Sequence, residues 1–262
     1  VLSGHPEIAM PREEKEVDFF SYYYDFGFQW FERKFEINDR KTIAGEISPS
    51  YLHGPGVAER AAKYNPGMRV ILIVRDPIER ALSNHRHEVR VGHIRGPDLS
   101  FEFGLQNNPA YIEQGLYAKH LKNWLCFFPQ EQIHVEKFEE IFDDATAFLQ
   151  RVCAFLGVNE AYTSDRLYSR SNVSHLNRSV FLERARVAGR KMFRAAGLSG
   201  IWNSIGDVGL RERYRQMNRV SPESAIDPPQ TQTVETLKDI FGPDCRELWE
   251  ITGLSTKSWL QQ

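Results

Sequence analysis

The hydrophobic pattern is strongest in the middle of the chain. Residues 70–74 read Val-Ile-Leu-Ile-Val, a continuous run of β-branched residues and leucine with no polar position inside it. Such a run is typical of a strand that is buried on both faces of a parallel sheet. Pro77 suits the first turn of a helix, and helical composition follows from Ile78 to Val89. The pattern therefore predicts a strand, a tight turn and a helix over residues 69–90.

A second unit of the same kind follows further along the chain. Residues 132–135 predict a strand, and Ala145 to Leu156 predict a helix for which Gly157 is a good stop. Between the two units, Tyr117 to Phe128 carry apolar residues at helical spacing. Strands that alternate with helices predict an α/β fold with a central, mainly parallel sheet flanked by helices.

The last third of the chain has a different pattern. Residues 178–219 are helix-like and rich in arginine, and residues 221–233 have the composition of a loop. A final helix is expected to begin at Thr233 or Thr236. The arginines fit an anionic acceptor, a membrane surface or plain solvation of a packed helix. We predict a single domain over the whole chain, with residues 158–262 as a variable helical part.

The composition narrows the class of protein. Hydrophobic residues make up 41% of the 262 residues and charged residues 26%, which is ordinary for a soluble globular protein. The net charge of −2 argues against nucleic acid as a partner. Cys126, Cys153 and Cys245 are an odd number at wide spacing. They predict free thiols in a reducing, cytoplasmic compartment, with one chance pair as the alternative. No apolar run approaches the roughly 20 residues of a membrane helix.

The strongest candidate chemistry follows the first predicted strand. Arg75 stands where that strand ends, and ligands of open α/β sheets bind at this edge. Its guanidinium fork suits a phosphate group. Ser83 lies two helical turns later and could present its hydroxyl to the same anion. From periodicity alone, Arg75 and Asp76 fit equally well as an ion pair and a helix cap. His85 and His87, further along the same helix, are a second candidate pair of basic groups, and a solvated helix surface is the favoured interpretation of both.

The string from Ile71 to Pro77, followed by Glu79-Arg80 and Leu82-Ser83, resembles the 3′-phosphate-binding segment of sulfotransferases. These enzymes use 3′-phosphoadenosine 5′-phosphosulfate (PAPS) as a co-substrate. The resemblance is nearest to the heparan sulfate 3-O- and N-sulfotransferases and to bacterial carbohydrate-type relatives. It implies a P-loop-like fold, no metal, and donor contacts from Arg75 and Ser83.

Three further stretches resemble the same family in the expected order: His5 to Ile8, Lys15 to Phe20, and Gly115 to Leu121 with Trp124. The second corresponds to the segment of the catalytic base, which implies that Glu16 takes the proton of the acceptor hydroxyl. Lys15 and Asp18 would then contact the substrate. The alternative is that Glu16 belongs to a solvated run of charges. His5 would be structural, although the cytosolic branch of the family uses a histidine as its base.

Two departures from the family stand beside these matches. The 5′-phosphosulfate loop is expected just upstream of Val1, and residues 1–262 contain no glycine-rich loop that ends in Lys-Ser/Thr. Heparan-modifying relatives also have a lysine where this chain has Ile47, which weakens the expectation of a heparan-type acceptor. Arg170 and Asn172 fall where the family has a late donor-binding loop, and the resemblance implies donor contacts for both.

The pattern as a whole predicts transfer of a sulfonate from PAPS to an acceptor hydroxyl on a carbohydrate or glycoconjugate. A lipid or secondary-metabolite hydroxyl is the first alternative. A P-loop-type kinase is another, and it would need a Gly-Lys-Ser/Thr loop and an acidic magnesium ligand. A non-catalytic nucleotide-binding module is the last.

Overall fold

The computed structural model describes residues 1–11, 14–94, 98–168, 176–177, 219–220 and 226–259. Within these ranges the strands are β1 (Ile8–Ala9), β2 (Ile43–Ala44), β3 (Val70–Val74), β4 (Ile133–Lys137), β5 (Leu176–Asn177) and β6 (Arg219–Val220). The helices are α1 (Phe28–Glu32), α2 (Val57–Tyr64), α3 (Pro77–Val91), α4 (Phe101–Asn107), α5 (Ala110–Glu113), α6 (Tyr117–Leu125), α7 (Glu140–Asp143), α8 (Ala145–Leu156) and α9 (Thr231–Thr252).

The strand pairs of the first half of the chain are parallel. β1 pairs with β2, and β3 pairs with β4 in a register that places Val70 opposite Ile133 and Val74 opposite Lys137. Parallel neighbours require a crossover connection, and helices supply it between β3 and β4. The predicted α/β class with parallel strands is therefore confirmed. β5 and β6 form an antiparallel pair.

The burial of β3 differs from the prediction. Val70, Leu72 and Val74 are buried, whereas Ile73 is 49% exposed. Side chains alternate between the two faces of a strand, so Ile73 points away from the side that Val74 packs. The described part of the chain leaves that second face half open, and the expectation of burial on both faces is wrong at Ile73.

The turn after β3 explains why α3 begins where it does. Asp76 Oδ1 accepts hydrogen bonds from the backbone N–H groups of Ile78 and Glu79, at 2.8 and 3.1 Å. A side-chain acceptor at this position satisfies donors that the first turn of a helix leaves free. Pro77, the first residue of α3, has no N–H to satisfy. The sequence prediction for this turn is confirmed.

Two other helices have equally local boundaries. Asp144 caps α8 by accepting from the N–H groups of Thr146 and Ala147, and Gly157 ends it at φ 69°. The left-handed region is where glycine replaces other residues without strain. α9 begins at Thr231, slightly before the predicted start, and continues through Pro243.

The chain divides into two compact units. The first comprises Val1–Arg80, Ile112–Arg170 and Thr236–Gln262, and the second comprises Ala81–Tyr111 and Ser171–Glu235. The single-domain organisation stays a prediction.

In the second unit His85 is buried, with Nδ1 3.1 Å from the Tyr111 hydroxyl and Nε2 3.0 Å from the Leu99 carbonyl oxygen. The expected solvated position of His85 is therefore wrong.

The cysteines are free thiols in the structure. Cys153 and Cys245 are buried and Cys126 is exposed. Burial raises the pKa of the Cys245 thiol to about 12, so this thiol stays protonated at neutral pH. Among the described residues, no helix has the length and apolar character of a membrane span, and no cluster of side chains fits a metal ion. The cytoplasmic location stays a prediction.

Candidate active site

Glu16 stands at the surface of the first unit. Its neighbour Val17 is 1% exposed and anchors the backbone in the core, while Glu16 and Lys15 are exposed. Neither side chain forms an ion pair with another residue that the structure describes. A carboxylate in this position offers its lone pairs to an approaching hydroxyl.

The backbone turns sharply two residues after Glu16. Asp18 has φ 53°, and no other non-glycine residue of the described ranges has a positive φ. This region costs about 1–3 kcal/mol and persists where surrounding contacts hold it. The Asp18 N–H donates to Ser48 Oγ at 2.9 Å, and its Oδ1 accepts from the Ser50 hydroxyl at 2.5 Å. The Asp18 carbonyl accepts from the Tyr22 N–H at 2.8 Å.

A second segment supplies the partners of Asp18. The Ser48 hydroxyl donates to Glu46 Oε2 at 2.7 Å. Burial raises the pKa of the Glu46 carboxyl, although hydrogen bonds from Tyr51 and Ser48 and from the backbone of Val17 act in the opposite direction. Asp18, Glu46, Ser48 and Ser50 together form what we call the Asp18 network. It ties the turn after Glu16 to a segment about 30 residues away in sequence.

Aromatic packing supports the same turn from below. Phe19 and Phe20 are buried, and the ring of Phe19 stacks on Phe31 with centroids 4.6 Å apart and planes at 13°. Phe20 meets Tyr51 edge to face at 5.4 Å. Aromatic pairs in these geometries add to the stability gained from burial. The Lys15–Phe20 segment is therefore held both by polar contacts and by its own buried rings.

Arg75 occupies the corner after β3, and its side chain is 28% exposed. The guanidinium lies over the Phe138 ring, 5.4 Å from the centroid, and one of its nitrogens is 3.8 Å from Glu79 Oε2. Its Nε is buried and has no hydrogen-bond partner among the described residues. Buried donors are normally paired, so an unpaired one at a ligand-binding edge indicates a missing acceptor.

The interpretation of Asp76 as a helix cap is correct, whereas the ion pair proposed for Arg75 is weak. Asp76 caps α3, its N–H donates to Glu139 Oε1 at 2.9 Å, and burial raises its pKa. Among the described residues, the ion-pair contact of Arg75 is the long 3.8 Å one to Glu79. The guanidinium is therefore positioned by the Phe138 ring without being neutralised by a close carboxylate.

His5 has a structural environment. The residue is 2% exposed, its Nδ1 accepts from the Glu7 N–H at 3.1 Å, and its Nε2 lies 3.1 Å from the Asn159 carbonyl oxygen. These two contacts fit the tautomer with the proton on Nε2. The ring also packs on Tyr162, with centroids 4.6 Å apart. Both nitrogens are engaged, so Glu16 is the better candidate base.

The remaining predicted site residues divide into two groups. Ser83 is half-buried in α3 and belongs to the second unit. Arg170 and Asn172, like the basic stretch from Arg178 to Arg194, lie outside the described residues.

The sequence did not predict Glu46, Ser48 and Ser50 as partners of Asp18. Their only signal was a pair of serines around Pro49 next to a carboxylate, which does not identify a partner.

Comparisons with known proteins identify the family of this chain. A profile of the sulfotransferase domain family matches residues 57–223, so the chain belongs to that family. Human heparan sulfate glucosamine 3-O-sulfotransferase 5 is 27% identical, over 99% of this chain and 68% of its own length. Mouse heparan sulfate glucosamine 3-O-sulfotransferase 3B1 is 30% identical, over 64% of this chain and 44% of its own length.

A solved structure shows the same fold. The sulfotransferase from Alicyclobacillus acidocaldarius superposes with a TM-score of 0.68 at 22% identity, covering 98% of this chain and 90% of that protein. The family match identifies the chain as a sulfotransferase, and the structural similarity shows that it has the same α/β fold as that protein.

Proposed function

We propose that this sulfotransferase uses PAPS as its donor, with Arg75 and Ser83 on the 3′-phosphate and Glu16 as the general base. In the reaction an acceptor oxygen forms a bond to sulfur while the bond from sulfur to the donor phosphate oxygen breaks. Glu16 takes the proton of the acceptor hydroxyl. The products are a sulfate ester and 3′-phosphoadenosine 5′-phosphate.

The observation that carries the donor assignment is the unpaired Nε of Arg75. This buried N–H stands at the carboxyl end of β3 and lacks an acceptor among the described residues. A phosphate oxygen would supply the acceptor, and a guanidinium binds phosphate through two parallel N–H groups. The Phe138 ring keeps the guanidinium plane in place before the nucleotide arrives. The role of Ser83 is carried by the family resemblance.

The assignment of Glu16 as the base rests on its exposed position and on the absence of an ion pair with any described residue. The carboxylate is exposed on a turn that the Asp18 network fixes, and it is not committed to an ion pair with any described residue. A general base must reach the proton that it removes, and a positioned base contributes typically 10²–10⁴-fold to the rate. Lys15, next to it, would offset the negative charge of the transferring sulfonate.

For the acceptor we propose a carbohydrate hydroxyl. The named relatives are glucosamine 3-O-sulfotransferases of heparan sulfate, so a sugar hydroxyl is the class that their names support. The lysine expected in heparan-modifying relatives is replaced by Ile47, which is 58% exposed. The acceptor is therefore expected to share the sugar class with heparan sulfate without sharing its charge.

Calorimetry on the full-length protein tests the donor site. A hydrogen bond to a charged group contributes about 1.5–3 kcal/mol, so Arg75→Ala is expected to weaken binding of 3′-phosphoadenosine 5′-phosphate by about 10- to 100-fold. Adenosine 5′-phosphate lacks the 3′-phosphate and should lose less. Arg246→Ala, an exposed arginine on α9, is the matched control and should change neither affinity. Equal losses for the two nucleotides in Arg75→Ala would contradict the assignment.

A further inference from the structure

An exposed aromatic surface lies directly after the segment of the proposed base. Tyr22 is 71% exposed, Phe26 60% and Tyr23 45%. The rings of Tyr23 and Phe26 stack with centroids 5.7 Å apart and planes at 6°. Trp30 packs behind both rings, at 5.8 Å from Tyr23 and 5.1 Å from Phe26. We call these three rings, together with the exposed Tyr22 that precedes them in sequence, the aromatic platform.

The platform is not needed to complete the core. Phe19 and Phe31 already form the buried layer below it, and the ring of Trp30 stacks on that of Phe19 with centroids 6.2 Å apart. The outer rings therefore add exposed apolar area instead of burying it. Grouped apolar side chains at a surface generally mark a binding site, because leaving them in water is unfavourable.

Two sets of contacts connect the platform to the Glu16 segment. The Asp18 carbonyl accepts from the N–H groups of Tyr22 and Tyr23, at 2.8 and 3.3 Å. Lys34 Nζ pairs with Glu14 Oε1 at 2.8 Å and lies 4.3 Å from the centroid of the Trp30 ring. The platform is thus fixed to the chain on both sides of Glu16, and a ligand on these rings would lie beside the proposed base.

The charge of this region opposes a polyanionic ligand. Residues 14–36 contain three basic residues, Lys15, Arg33 and Lys34, and six acidic ones, Glu14, Glu16, Asp18, Asp25, Glu32 and Glu36. The region therefore carries a net charge of 3 − 6 = −3. Like charges at an interface are unfavourable and slow the encounter. An uncharged ligand avoids that repulsion.

We propose that the aromatic platform binds an uncharged sugar ring of the acceptor and presents it beside Glu16. The face of an aromatic ring carries partial negative charge, and the C–H bonds on one face of a pyranose are partially positive, so the two stack without a charged group on the ligand. Stacking on one face leaves the hydroxyl groups of the sugar free for hydrogen bonds and for reaction. This inference rests on the proposed function, since it names the acceptor class for the same site.

Binding is tested first, without turnover. Saturation-transfer NMR on the full-length protein would compare three neutral hexasaccharides (cellohexaose, maltohexaose and chitohexaose) with a heparan sulfate hexasaccharide. At least one neutral probe is expected to bind, and the Tyr22→Ala/Phe26→Ala double variant should weaken it about tenfold or more. Phe127→Ala removes an exposed phenylalanine elsewhere, 41% exposed, and should leave binding unchanged. Absence of binding by all three neutral probes overturns the proposal, as does equal loss in both variants.

Turnover with PAPS then separates this proposal from the assignment of the base. The double variant should raise the KM for the neutral acceptor about tenfold while kcat stays within about twofold. Glu16→Gln should do the opposite, lowering kcat while the NMR signal of the bound sugar persists. If Glu16→Gln keeps normal turnover and the neutral sugar still binds, Glu16 is not the base, but the proposal for the aromatic platform is unaffected. A kcat/KM that is higher for the heparan sulfate hexasaccharide than for every neutral probe would refute the proposed class even if Glu16 is the base.

Discussion

The donor corner and the Glu16 turn are built by different means. Arg75 follows a five-residue strand that is paired along its whole length with β4, and a capped helix begins two residues later. Glu16 lies in irregular backbone, and side-chain hydrogen bonds from the Asp18 network hold the turn that follows it. The proposed phosphate-binding residue thus follows directly from regular secondary structure. The proposed base instead depends on a polar network for its position.

The two regions consequently differ in what stabilises them. The main-chain ladder of β3 is independent of any single side chain, because the backbone supplies the donors and acceptors. The turn at Asp18 holds a conformation that costs about 1–3 kcal/mol, and each hydrogen bond that offsets it contributes about 0.5–1.5 kcal/mol. Substitution of a single serine can therefore disturb the Glu16 turn, whereas the β3–β4 ladder should tolerate most single side-chain changes.

The largest expected effect separates the two regions by function. Glu16→Gln keeps the shape of the side chain but cannot accept the proton, so turnover should fall by about 10²–10⁴-fold. Affinity for 3′-phosphoadenosine 5′-phosphate should stay within about twofold, because we propose Arg75 and Ser83, not Glu16, for the donor contact. Initial rates and calorimetry measure the two quantities. Glu59→Gln, an exposed glutamate in the first turn of α2, is the control and should retain full activity. Near-normal turnover of Glu16→Gln would remove Glu16 from the mechanism.

A smaller effect is expected from the network itself. Ser48→Ala leaves the Asp18 N–H without its acceptor and removes one of the donors to Glu46, and an unsatisfied buried group costs about 1–3 kcal/mol. The free energy of unfolding in urea should fall by that amount. Turnover should fall with it, while donor affinity stays unchanged. Ser255→Ala, an exposed serine near the end of the chain, should alter none of the three. Loss of donor affinity in Ser48→Ala would mean that the two regions are not independent.

The same contrast explains what could be predicted from the sequence. β3, the start of α3 and the end of α8 at Gly157 follow from signals within a few residues, and all three are confirmed. The Asp18 network joins residues about 30 positions apart, and no local pattern in the sequence pairs Asp18 with Ser48. The predictions that Ile73 is buried and that His85 is exposed were wrong for a related reason. A periodic pattern shows which residues share a face, but only the packing of distant segments decides whether that face is covered.

The smallest expected effect is a dependence of stability on pH, which tests whether burial raises the pKa of the Glu46 carboxyl. Burial raises the pKa of folded Glu46 above its ordinary 4.5, so the folded state keeps a proton that the unfolded chain loses as pH rises. Stability contributed by Glu46 therefore falls as pH rises from about 4.5 to the raised value, by about 1.4 kcal/mol per unit of difference. Glu46→Gln keeps an acceptor for Ser48 and does not titrate. Its stability relative to the wild type should increase over that pH range and then level off, as measured by urea unfolding at several pH values. A difference that is constant with pH, or that changes in the opposite direction, would show that burial does not set the protonation of Glu46.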